Sequence, residues 1–527
     1  MTHSSTPDLI GQKLLLSFRG FDLPADLPAT FQRIRPGGIT LFRSLNIQNP
    51  AQLRALNTAL QNAAREAGLP PLLIAADQEG GQLAAIGDIT AFPGNMALGA
   101  ADSPELAYRV GQALGLELRA VGVNVNYAPV CDVIANAHNP VVGVRAFGGD
   151  PIQAGELAAS LVRGLQSVGV AAAPKHFPGH GDTTTDSHHE MPVIPHGLER
   201  LRQIELVPFQ AAFQAGARLA MTAHISLPNV DALPDRPATL SPTILTGLLR
   251  GELGFDGVIV TDALEMHAIQ QGYGLGLETL AAVNAGVDLL LLNSDPNAQN
   301  IVHNSLTLAA RRGLLPMDTL RASVRRIAAL KEWLGTYDEM PSLDVVNSPE
   351  HRALALEVAR RAITLVRDRA GILPLQLNLN ARVGIFLPRP EDLTPADTSS
   401  YLIPDLAAEI RKFHPHAEQT LIPINPTDED LAAYRAQAQT YDLLIVATIN
   451  AGVYPGQAAL VNALASLDRP LVTLALRNPT DLYAFPDIPT YLCTYSIQPP
   501  AIQAVVEALF GKIPLSGKLP VSMADIL

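Results

Sequence analysis

The sequence has little cysteine, little charge and no long apolar run. Only two of the 527 residues are cysteines, Cys131 and Cys493, and each lies inside an apolar segment. Two buried free thiols are the simpler interpretation, and a disulfide between them is the alternative. No stretch approaches the roughly 18 uncharged apolar residues that a membrane span requires. The first residues lack a basic region, and the apolar run at 14–18 is too short for a secretory signal. We therefore expect a soluble, cytoplasmic protein that does not act on a membrane.

The overall composition excludes further classes of function. Hydrophobic residues make up 48% of the chain and charged residues 17%, as expected of a folded protein with a sizeable core. The net charge of −13 disfavours binding to nucleic acid or to an anionic membrane, because both require a basic surface. A neutral polyol or sugar is compatible with this charge. The length predicts roughly two to four domains, and fewer if one is a large barrel.

Short apolar runs typical of buried strands recur through the first two-thirds of the chain. They lie at residues 14–18, 38–42, 72–77, 123–130, 168–174, 218–224, 257–262 and 288–292. Amphipathic segments with helical spacing lie between most of them, at 50–67, 104–121, 151–168, 198–215 and 242–253. Solidly apolar strands that alternate with helices indicate a parallel sheet covered on both faces. This number of units in this length predicts a (β/α)8 TIM-type barrel.

Polar residues follow many of these strands at their carboxyl ends. They are Asp77, Asn126, Lys175, His176, His224 and Asp262. The carboxyl ends of barrel strands converge on one mouth, where the catalytic loops lie. The sequence therefore predicts that these side chains share one site.

The last third of the chain predicts a second domain. Residues 336–350 are polar and read as a linker between a barrel domain at 1–335 and an α/β domain at 351–527. Strands are predicted at 383–387, 420–424, 443–448, 470–476 and 490–495, and helices at 351–366, 404–413, 428–439, 456–467 and 500–510. This alternation predicts a doubly wound α/β sandwich. The domain lacks the Gly-x-Gly-x-x-Gly turn and the Walker loop, so nucleotide binding has no support.

The segment 175–192 has the highest density of titratable groups. It contains four histidines, and Asp186 lies two residues before His188. An imidazole that gives and takes a proton near neutral pH works best when a carboxylate orients it. Ordinary surface polarity is the alternative for any single histidine, but it fits poorly for a cluster after a strand.

A catalytic metal is the sharper alternative for this segment. The possible ligands are His176, His180, Asp182, Asp186 and His188. However, Pro178 and Gly179 interrupt the His-x-x-x-His spacing, and the Glu of a His-Glu-x-x-His helix is missing. We therefore expect no metal and no other cofactor.

Two aspartates complete the candidate chemistry. Asp262 follows a fully apolar strand, where its carboxylate would point into the mouth and act as a nucleophile toward an acetal carbon. Capping of the following helix is the alternative role. Asp77 has a similar placement, and Gly80 and Gly81 after it would let the backbone approach a ligand closely.

At this point the motifs resemble those of glycoside hydrolase family 3, in its bacterial β-N-acetylglucosaminidase branch. The matching segments across the barrel are residues 37–42, 77–81, 126–132, 139–143, 145–148, 175–182, 186–188, 221–224, 254–257 and 261–262. Further matches at 365–366, 372–375, 477–479 and 517–521 extend the resemblance to the last third of the chain.

The resemblance implies a role for each matching residue. Asp262 corresponds to the nucleophile, His188 to the acid/base, and Asp186 to the partner of that histidine. Asp77, Arg145, Lys175 and His176 correspond to residues that bind the sugar in the −1 subsite. Gln82 stands where the branch often has arginine. The resemblance therefore leaves undecided one contact with the substrate or the geometry of this loop.

The sequence thus predicts a retaining exo-β-N-acetylglucosaminidase that acts on a small carbohydrate and releases terminal β-linked N-acetylglucosamine. Peptidoglycan fragments are the substrate that the resemblance implies, and chitin oligosaccharides are the alternative. Three other functions stay open: a phosphorylase, a β-glucosidase or xylosidase, and a non-catalytic sugar-binding protein. The sequence does not give the oligomeric state or say whether the second domain reaches the site.

Overall fold

The computed structural model describes residues 5–136, 139, 141–183, 191–233, 235–264, 274–337 and 339–523. The strands in these residues are β1 (Leu14–Leu16), β2 (Gly38–Thr40), β3 (Leu73–Ala76), β4 (Gln78–Gly80), β5 (Leu83–Ala84), β6 (Val125–Asn126), β7 (Ala171–Ala172), β8 (Leu219–Thr222), β9 (Val258–Thr261), β10 (Leu290–Leu291), β11 (Thr364–Asp368), β12 (Val383–Pro388), β13 (Ala417–Ile422), β14 (Leu443–Thr448), β15 (Leu471–Ala475) and β16 (Thr490–Cys493).

The α-helices in the same residues are α1 (Thr6–Gly11), α2 (Leu27–Ile34), α3 (Arg43–Asn46), α4 (Pro50–Glu66), α5 (Asn95–Ala101), α6 (Pro104–Ala120), α7 (Pro151–Ser167), α8 (Leu198–Gln203), α9 (Val207–Gln214), α10 (Leu275–Ala285), α11 (Pro296–Arg311), α12 (Met317–Leu334), α13 (Pro349–Ala362), α14 (Leu406–Arg411), α15 (Asp428–Ala438), α16 (Pro455–Ala465) and α17 (Pro499–Leu509). Short 3-10 helices occupy Gly143–Arg145, Ala238–Leu240, Leu343–Val345, Ser399–Tyr401 and Pro479–Ala484, and Thr243–Glu252 forms a π-helix. None of the described helices combines the length and the apolar character needed to cross a membrane.

The helices predicted at 50–67, 104–121 and 151–168 each begin at a proline that follows an Asn, Ser or Asp. The side chains of Asn49, Ser103 and Asp150 each accept a hydrogen bond from a backbone N–H in the first turn of α4, α6 and α7. Each cap satisfies a donor that the helix itself leaves unpaired, and the proline after it needs no donor at that position.

All eight strands predicted in the first part of the chain have a counterpart. Six form one parallel sheet in the order β10-β1-β2-β3-β6-β7, and β8 pairs in parallel with β9. Alternate strand residues face two different sides: Leu15 and Leu73 pack in one apolar cluster, while Leu14, Leu16 and Ile74 pack in another. Both faces are therefore buried, as the solidly apolar runs indicate.

Two helix predictions in this part are corrected. Residues 198–215 form two helices rather than one, because Pro208 lies in the first turn of α9 and cannot continue α8 through it. Residues 242–253 form a π-helix, not an α-helix. Cys131 and Cys493 are both buried and free, so the interpretation as thiols is confirmed and the disulfide alternative is wrong.

The last third of the chain forms a second six-stranded sheet, in the order β11-β16-β15-β14-β12-β13. The pairs within β12–β16 are parallel, and β11 is antiparallel to β16. The predicted helix over 351–366 is wrong at its end, since α13 stops at Ala362 and the strand β11 begins at Thr364. The β-branched residues Ile363, Thr364 and Val366 favour that strand.

The two parts of the chain share a continuous apolar core. Met96 and Val144 from the first part pack in one cluster with Phe485, Tyr491 and Met523 from the last. The segment 336–350 and the first turn of α13 also contact the first part, where Glu117 accepts a hydrogen bond from Asn347 N and another from His351 Nδ1 at 2.6 Å. These contacts fix the position of the second sheet beside the carboxyl ends of the first strands.

Candidate active site

A cavity of about 1350 Å³ lies at the carboxyl ends of the strands of the first part. Of the residues predicted for the site, those that line it are Asp77, Arg145, Lys175, His176, His224 and Asp262. The structure therefore brings together side chains that are far apart in the sequence, as the strand-end pattern predicts. The prediction is wrong for Asn126, which is fully buried and forms hydrogen bonds with the backbone of Gln78 instead. Asp186 and His188 lie outside the described residues.

A network of ion pairs joins four side chains at the base of this cavity. Lys175 Nζ lies 2.7 Å from Asp77 Oδ1 and 2.5 Å from Glu79 Oε1. Arg145 binds the same Glu79 carboxylate in a bidentate manner, with Nε 2.9 Å from Oε2 and Nη2 2.7 Å from Oε1. The side chains of Glu79, Arg145 and Lys175 are at most 3% exposed, so water screens these charges weakly.

Burial and pairing act in opposite directions on this network. Burial favours the neutral form of the Glu79 carboxyl, but the charges of Arg145 and Lys175 outweigh it and lower the pKa to about 2. Burial also opposes the charged form of Lys175, yet Asp77 and Glu79 outweigh it and raise the pKa of this ammonium group. Glu79 and Lys175 are therefore both charged at neutral pH, and each holds the other in place.

Asp132 fixes the orientation of His176. Its Oδ2 lies 2.7 Å from His176 Nδ1, and its Oδ1 accepts hydrogen bonds from the backbone N–H groups of His176 and His180. Burial opposes ionisation of Asp132, but these contacts outweigh it and lower the pKa of the carboxyl. His176 Nε2 lies 3.5 Å from Arg145 Nη2, so the imidazole joins the network around Glu79.

Asp262 directly follows β9 and lies half-buried in the cavity wall. Its Oδ1 accepts a hydrogen bond of 2.8 Å from Ala263 N. His224 Nε2 lies 3.1 Å from Ala263 O, and because a carbonyl only accepts, this nitrogen donates. Burial together with the negative charges of Asp77 and Asp262 raises the pKa of Tyr127, whose ring lies in the apolar interior below them.

His180 and Asp182, to which the sequence assigns no firm role, have partners that shape the loop. His180 Nδ1 lies 2.8 Å from Thr183 Oγ1. Asp182 Oδ2 lies 2.6 Å from His196 Nε2, which connects the loop to the segment before α8. Among the residues that the structure describes, no group of three or more His, Cys, Asp or Glu side chains is arranged to hold a metal ion.

The last third of the chain also lines this cavity, which the sequence left open. Residues between Asp392 and Tyr401, in the connection after β12, form part of the wall. Inside this connection Asp397 Oδ2 lies 2.8 Å from Arg477 Nη1, and Asp397 also accepts from the N–H groups of Leu393 and Ser399. The Asp397 and Arg477 side chains are at most 3% exposed, so a buried ion pair holds this wall in shape.

Gln82 binds the same connection instead of lining the cavity. Its carbonyl accepts hydrogen bonds from Thr398 N at 3.0 Å and from Thr398 Oγ1 at 2.9 Å. Its side-chain Nε2 points to Ala396 O at 3.5 Å. The paired glycines before it do not line this cavity, and their approach to a ligand stays a prediction. Their positive φ angles serve a turn that packs on residues 92–94, where a Cβ on Gly81 would lie 2.7 Å from Pro93 O.

Sequence reasoning missed two carboxylates that hold the site together. Glu79 lies two residues after the strand-end Asp77 in the motif 77–81, and Asp132 interrupts an apolar segment at the end of the motif 126–132. A carboxylate so close to an apolar segment is expected to be buried, and a buried carboxylate requires a charged or hydrogen-bonding partner. The position of these two residues in the sequence could therefore have indicated their role. Arg43, Asp397 and Tyr401 also line the cavity, and no local pattern in the sequence marks them.

Comparison of the sequence with known proteins identifies the family of this chain. The sequence model described as the glycosyl hydrolase family 3 N terminal domain matches residues 16–330. The chain is 38% identical over 416 residues to beta-hexosaminidase A of Pseudoalteromonas piscicida, which covers 71% of this chain and 69% of that protein.

Solved structures agree with the sequence match. The family 3 beta-N-acetylglucosaminidase of Paenibacillus sp. str. FPU-7 has a TM-score of 0.93 and 36% identity, with 99% of both chains covered. A beta-glucoside phosphorylase, BglX, has a TM-score of 0.81 and 25% identity, covering 100% of this chain and 95% of that one. On the extent of the family match and the identity to its relatives, this chain belongs to glycosyl hydrolase family 3 and is a glycoside hydrolase.

Proposed function

We propose that the protein is a retaining exo-β-N-acetylglucosaminidase that releases terminal β-linked N-acetylglucosamine. The observation that carries this proposal is the single cavity lined by Asp262 and by Asp77, Lys175 and Arg145, which Glu79 holds in one ion-pair network. Two of the similar proteins support N-acetylglucosamine as the sugar that is released. One is the beta-hexosaminidase A of Pseudoalteromonas piscicida, and the other is the beta-N-acetylglucosaminidase of Paenibacillus sp. str. FPU-7.

The proposed reaction uses Asp262 as the nucleophile. Its carboxylate attacks the anomeric carbon while His188 protonates the oxygen of the leaving group, which gives a covalent glycosyl-enzyme. His188 then takes a proton from water, and the resulting attack on the anomeric carbon releases Asp262 and restores the original configuration. Asp186 supports the charged form of the histidine in this scheme. The roles of His188 and Asp186 rest on the family resemblance.

The network supplies the hydrogen-bond donors and acceptors that a sugar needs. We propose that Asp77, Arg145, Lys175 and His176 bind the terminal sugar, because all four line the cavity beside Asp262. Lys175 and Arg145 are held by Glu79, so their remaining N–H groups are pre-oriented before substrate arrives. Pre-orientation lowers the entropy lost when the sugar binds.

The architecture that we propose for this function is a closed (β/α)8 barrel at residues 1–335, a linker at 336–350, and a doubly wound α/β sandwich at 351–527. Two parallel bridges support closure, because Phe177 pairs with Thr222 and Val260 pairs with Leu289, at the gaps beside β8 and β9. Limited proteolysis tests the division, and we expect first cuts inside 336–350.

A phosphorylase is the second candidate function. It is favoured by the likeness to the beta-glucoside phosphorylase BglX over the whole chain, and by a histidine acid/base, which repels incoming phosphate less than a carboxylate would. A β-glucosidase or xylosidase is the third possibility. A non-catalytic sugar-binding protein is disfavoured by the carboxylates Asp77 and Asp262 in one cavity.

One experiment separates these functions. Aryl β-glycosides of N-acetylglucosamine, glucose and xylose are incubated with the protein, with and without inorganic phosphate, and the sugar products are identified. We expect fastest cleavage of the N-acetylglucosaminide and free sugar as the product in both conditions. Sugar 1-phosphate as the main product would show that the protein is a phosphorylase and not a hydrolase. Faster cleavage of the glucoside would show that it is a β-glucosidase and not an N-acetylglucosaminidase.

The source of the substrate is a separate proposal. Peptidoglycan fragments and chitin oligosaccharides both end in β-linked N-acetylglucosamine, and a comparison of the two as substrates decides between them. The cytoplasmic location stays a prediction, and cell fractionation with an antibody against the chain tests it.

A further inference from the structure

The wall formed by the connection after β12 presents one aromatic ring to the cavity. Tyr401 is 54% exposed and lines the cavity, although its ring is large and apolar. The Arg43 guanidinium lies 4.1 Å from the centre of this ring. One face of the ring is thus covered by a cation from the first part of the chain, and the rest remains accessible.

Arg43 is itself held in place, so the stacked pair is rigid. Its Nη1 donates a hydrogen bond of 2.8 Å to Ala84 O, at the end of β5. Gly87 leaves the space that the guanidinium occupies, since a Cβ there would lie 2.7 Å from Arg43 Nη2. A ring held in this way loses little conformational entropy when a ligand stacks on it.

The cavity has room for more than the terminal sugar. Its volume of about 1350 Å³ exceeds the range of roughly 300–1,000 Å³ that is usual for a small-molecule pocket. The Asp77–Lys175–Glu79–Arg145 network and Asp262 account for the binding of one sugar. Tyr401 and Arg43 belong to neither group, and they lie on the part of the wall that two distant segments of the chain build together.

The charge around Tyr401 is balanced. The negative charges of Asp88 and Asp392 act on the Arg43 guanidinium, and Asp392 is fixed by hydrogen bonds from Ser400 N at 2.8 Å and Ser400 Oγ at 2.7 Å. Over the whole cavity, six aspartates face five lysine or arginine side chains. A carboxylate on the ligand would therefore meet an arginine that already has acidic neighbours.

We propose that Tyr401, held by Arg43, stacks against a neutral pyranose ring on the leaving-group side of the scissile bond, and that it favours neutral β-linked oligosaccharides over acidic ones. The inference rests on the proposed function and deepens it by naming the second sugar. The C–H face of a pyranose is apolar and matches the uncovered part of the ring. Tyr401 is thus a specificity-determining residue contributed by the last third of the chain.

The test compares two substrates that share the terminal sugar and differ in the leaving group. One is N,N′-diacetylchitobiose, and the other is β-N-acetylglucosaminyl fluoride, whose leaving group has no ring. For Tyr401→Ala we expect the ratio of kcat/KM on the disaccharide to kcat/KM on the fluoride to fall about tenfold, the size of one lost stacking contact. Tyr401→Phe keeps the ring and should hold the wild-type ratio.

The outcomes distinguish this inference from the proposed function. An unchanged ratio in Tyr401→Ala, or an equal loss on both substrates, overturns the role of Tyr401 while the hydrolase activity stands. A wild-type protein that does not hydrolyse the fluoride overturns the proposed function and this inference with it. Thermal melting followed by circular dichroism shows whether the variants are folded, and Tyr401→Leu, which removes the ring but keeps an apolar side chain, replaces Tyr401→Ala with the same expected fall in the ratio if Tyr401→Ala is not folded.

A second measurement tests the preference for neutral sugars. The wild-type kcat/KM on N,N′-diacetylchitobiose is compared with that on the disaccharide whose leaving sugar bears a lactyl carboxylate. We expect the neutral disaccharide to be cleaved with the higher kcat/KM, and we expect Tyr401→Ala to narrow the difference. A higher kcat/KM on the acidic disaccharide overturns the neutral preference.

Discussion

The guanidinium of Arg145 grips the carboxylate of Glu79 at two points, with Nη2 2.7 Å from Oε1 and Nε 2.9 Å from Oε2. Lys175 Nζ lies 2.5 Å from the same carboxylate, so one buried acid organises two buried cations. Neither cation could be buried without a partner, because an isolated charge in the protein interior is strongly unfavourable. Glu79 therefore decides where the two buried cations lie.

The first prediction concerns this carboxylate and pH. Since the folded protein lowers the pKa of Glu79 from 4.5 to about 2, its ionised form stabilises the fold above pH 4.5. That stabilisation is lost as the pH falls through the folded value, and it amounts to about 3 kcal/mol. We expect Glu79→Gln to be less stable than wild type at pH 7 and to lose less free energy of unfolding between pH 4.5 and 2. Chemical denaturation over this pH range measures both.

A control for this prediction is Glu357→Gln, because Glu357 pairs with Arg109 on a face where both side chains are about two-fifths exposed. Exposed pairs contribute roughly 0–1 kcal/mol, so this variant should follow the wild-type pH dependence. If the free energy of unfolding of Glu79→Gln also shows the wild-type pH dependence, the ionised Glu79 carboxylate does not stabilise the fold through its ion pairs.

The second prediction concerns the proposed nucleophile. Asp262→Ala should reduce kcat on an aryl N-acetyl-β-glucosaminide by roughly 10⁴-fold or more, because no covalent intermediate forms without the carboxylate. The melting temperature should stay close to that of wild type, since Asp262 is only half-buried. A 5-fluoro analogue of the substrate should trap the glycosyl-enzyme in the wild type, and peptide mapping by mass spectrometry should locate it on Asp262. Wild-type rates in the variant would refute this role.

A matched control is Asp26→Asn. Asp26 is exposed, lines the same cavity and makes no capping hydrogen bond with its helix. Near-wild-type activity in this variant would show that loss of any cavity carboxylate is not enough to stop turnover.

The third prediction concerns the proposed acid/base. His188→Ala should lower the rate by roughly 10²–10⁴-fold on a substrate with a poor leaving group, which needs protonation. A dinitrophenyl leaving group departs without being protonated. The rate of the glycosylation step on a dinitrophenyl substrate should therefore change little in His188→Ala. Steady-state kinetics with a series of aryl leaving groups measure the dependence. An equal reduction across the series would argue against His188 as the acid.

The fourth prediction concerns the ion pair that shapes the second wall of the cavity. Arg477→Met and Asp397→Asn should each lower the free energy of unfolding by about 3 kcal/mol, because each leaves a buried charge unpaired. The double variant should lose clearly less than the two single losses together, and a double-mutant cycle in urea gives the coupling. Additive losses would mean that the two side chains do not act on each other.

The control for this cycle is Arg382→Met. Arg382 pairs with Glu418 at 3.2 Å, but both side chains are about half exposed. Solvent screens that pair, so its loss should be below about 1 kcal/mol.

Local patterns account for most of the elements in the fold. The apolar runs in the first part become parallel strands, and the Asn, Ser and Asp residues before prolines become helix caps. Both patterns depend only on residues that are close together in the sequence, so they can be recognised without the structure. Predictions failed where a local pattern fits two structures, as at Thr364, which continues a helical pattern but pairs in a strand with Cys493.

The sequence by itself determined the strand-and-helix alternation and the strand-end residues Asp77, Lys175, His176 and Asp262, because strand ends converge whenever parallel strands pack side by side. Tertiary structure alone decided which partners those residues have. Glu79 reaches Arg145 across 66 positions of the chain, and Tyr401, in the connection after β12, reaches Arg43 in α3. Such contacts depend on how whole elements pack, because a charge that packing buries needs a partner, and the partner can come from a distant part of the sequence.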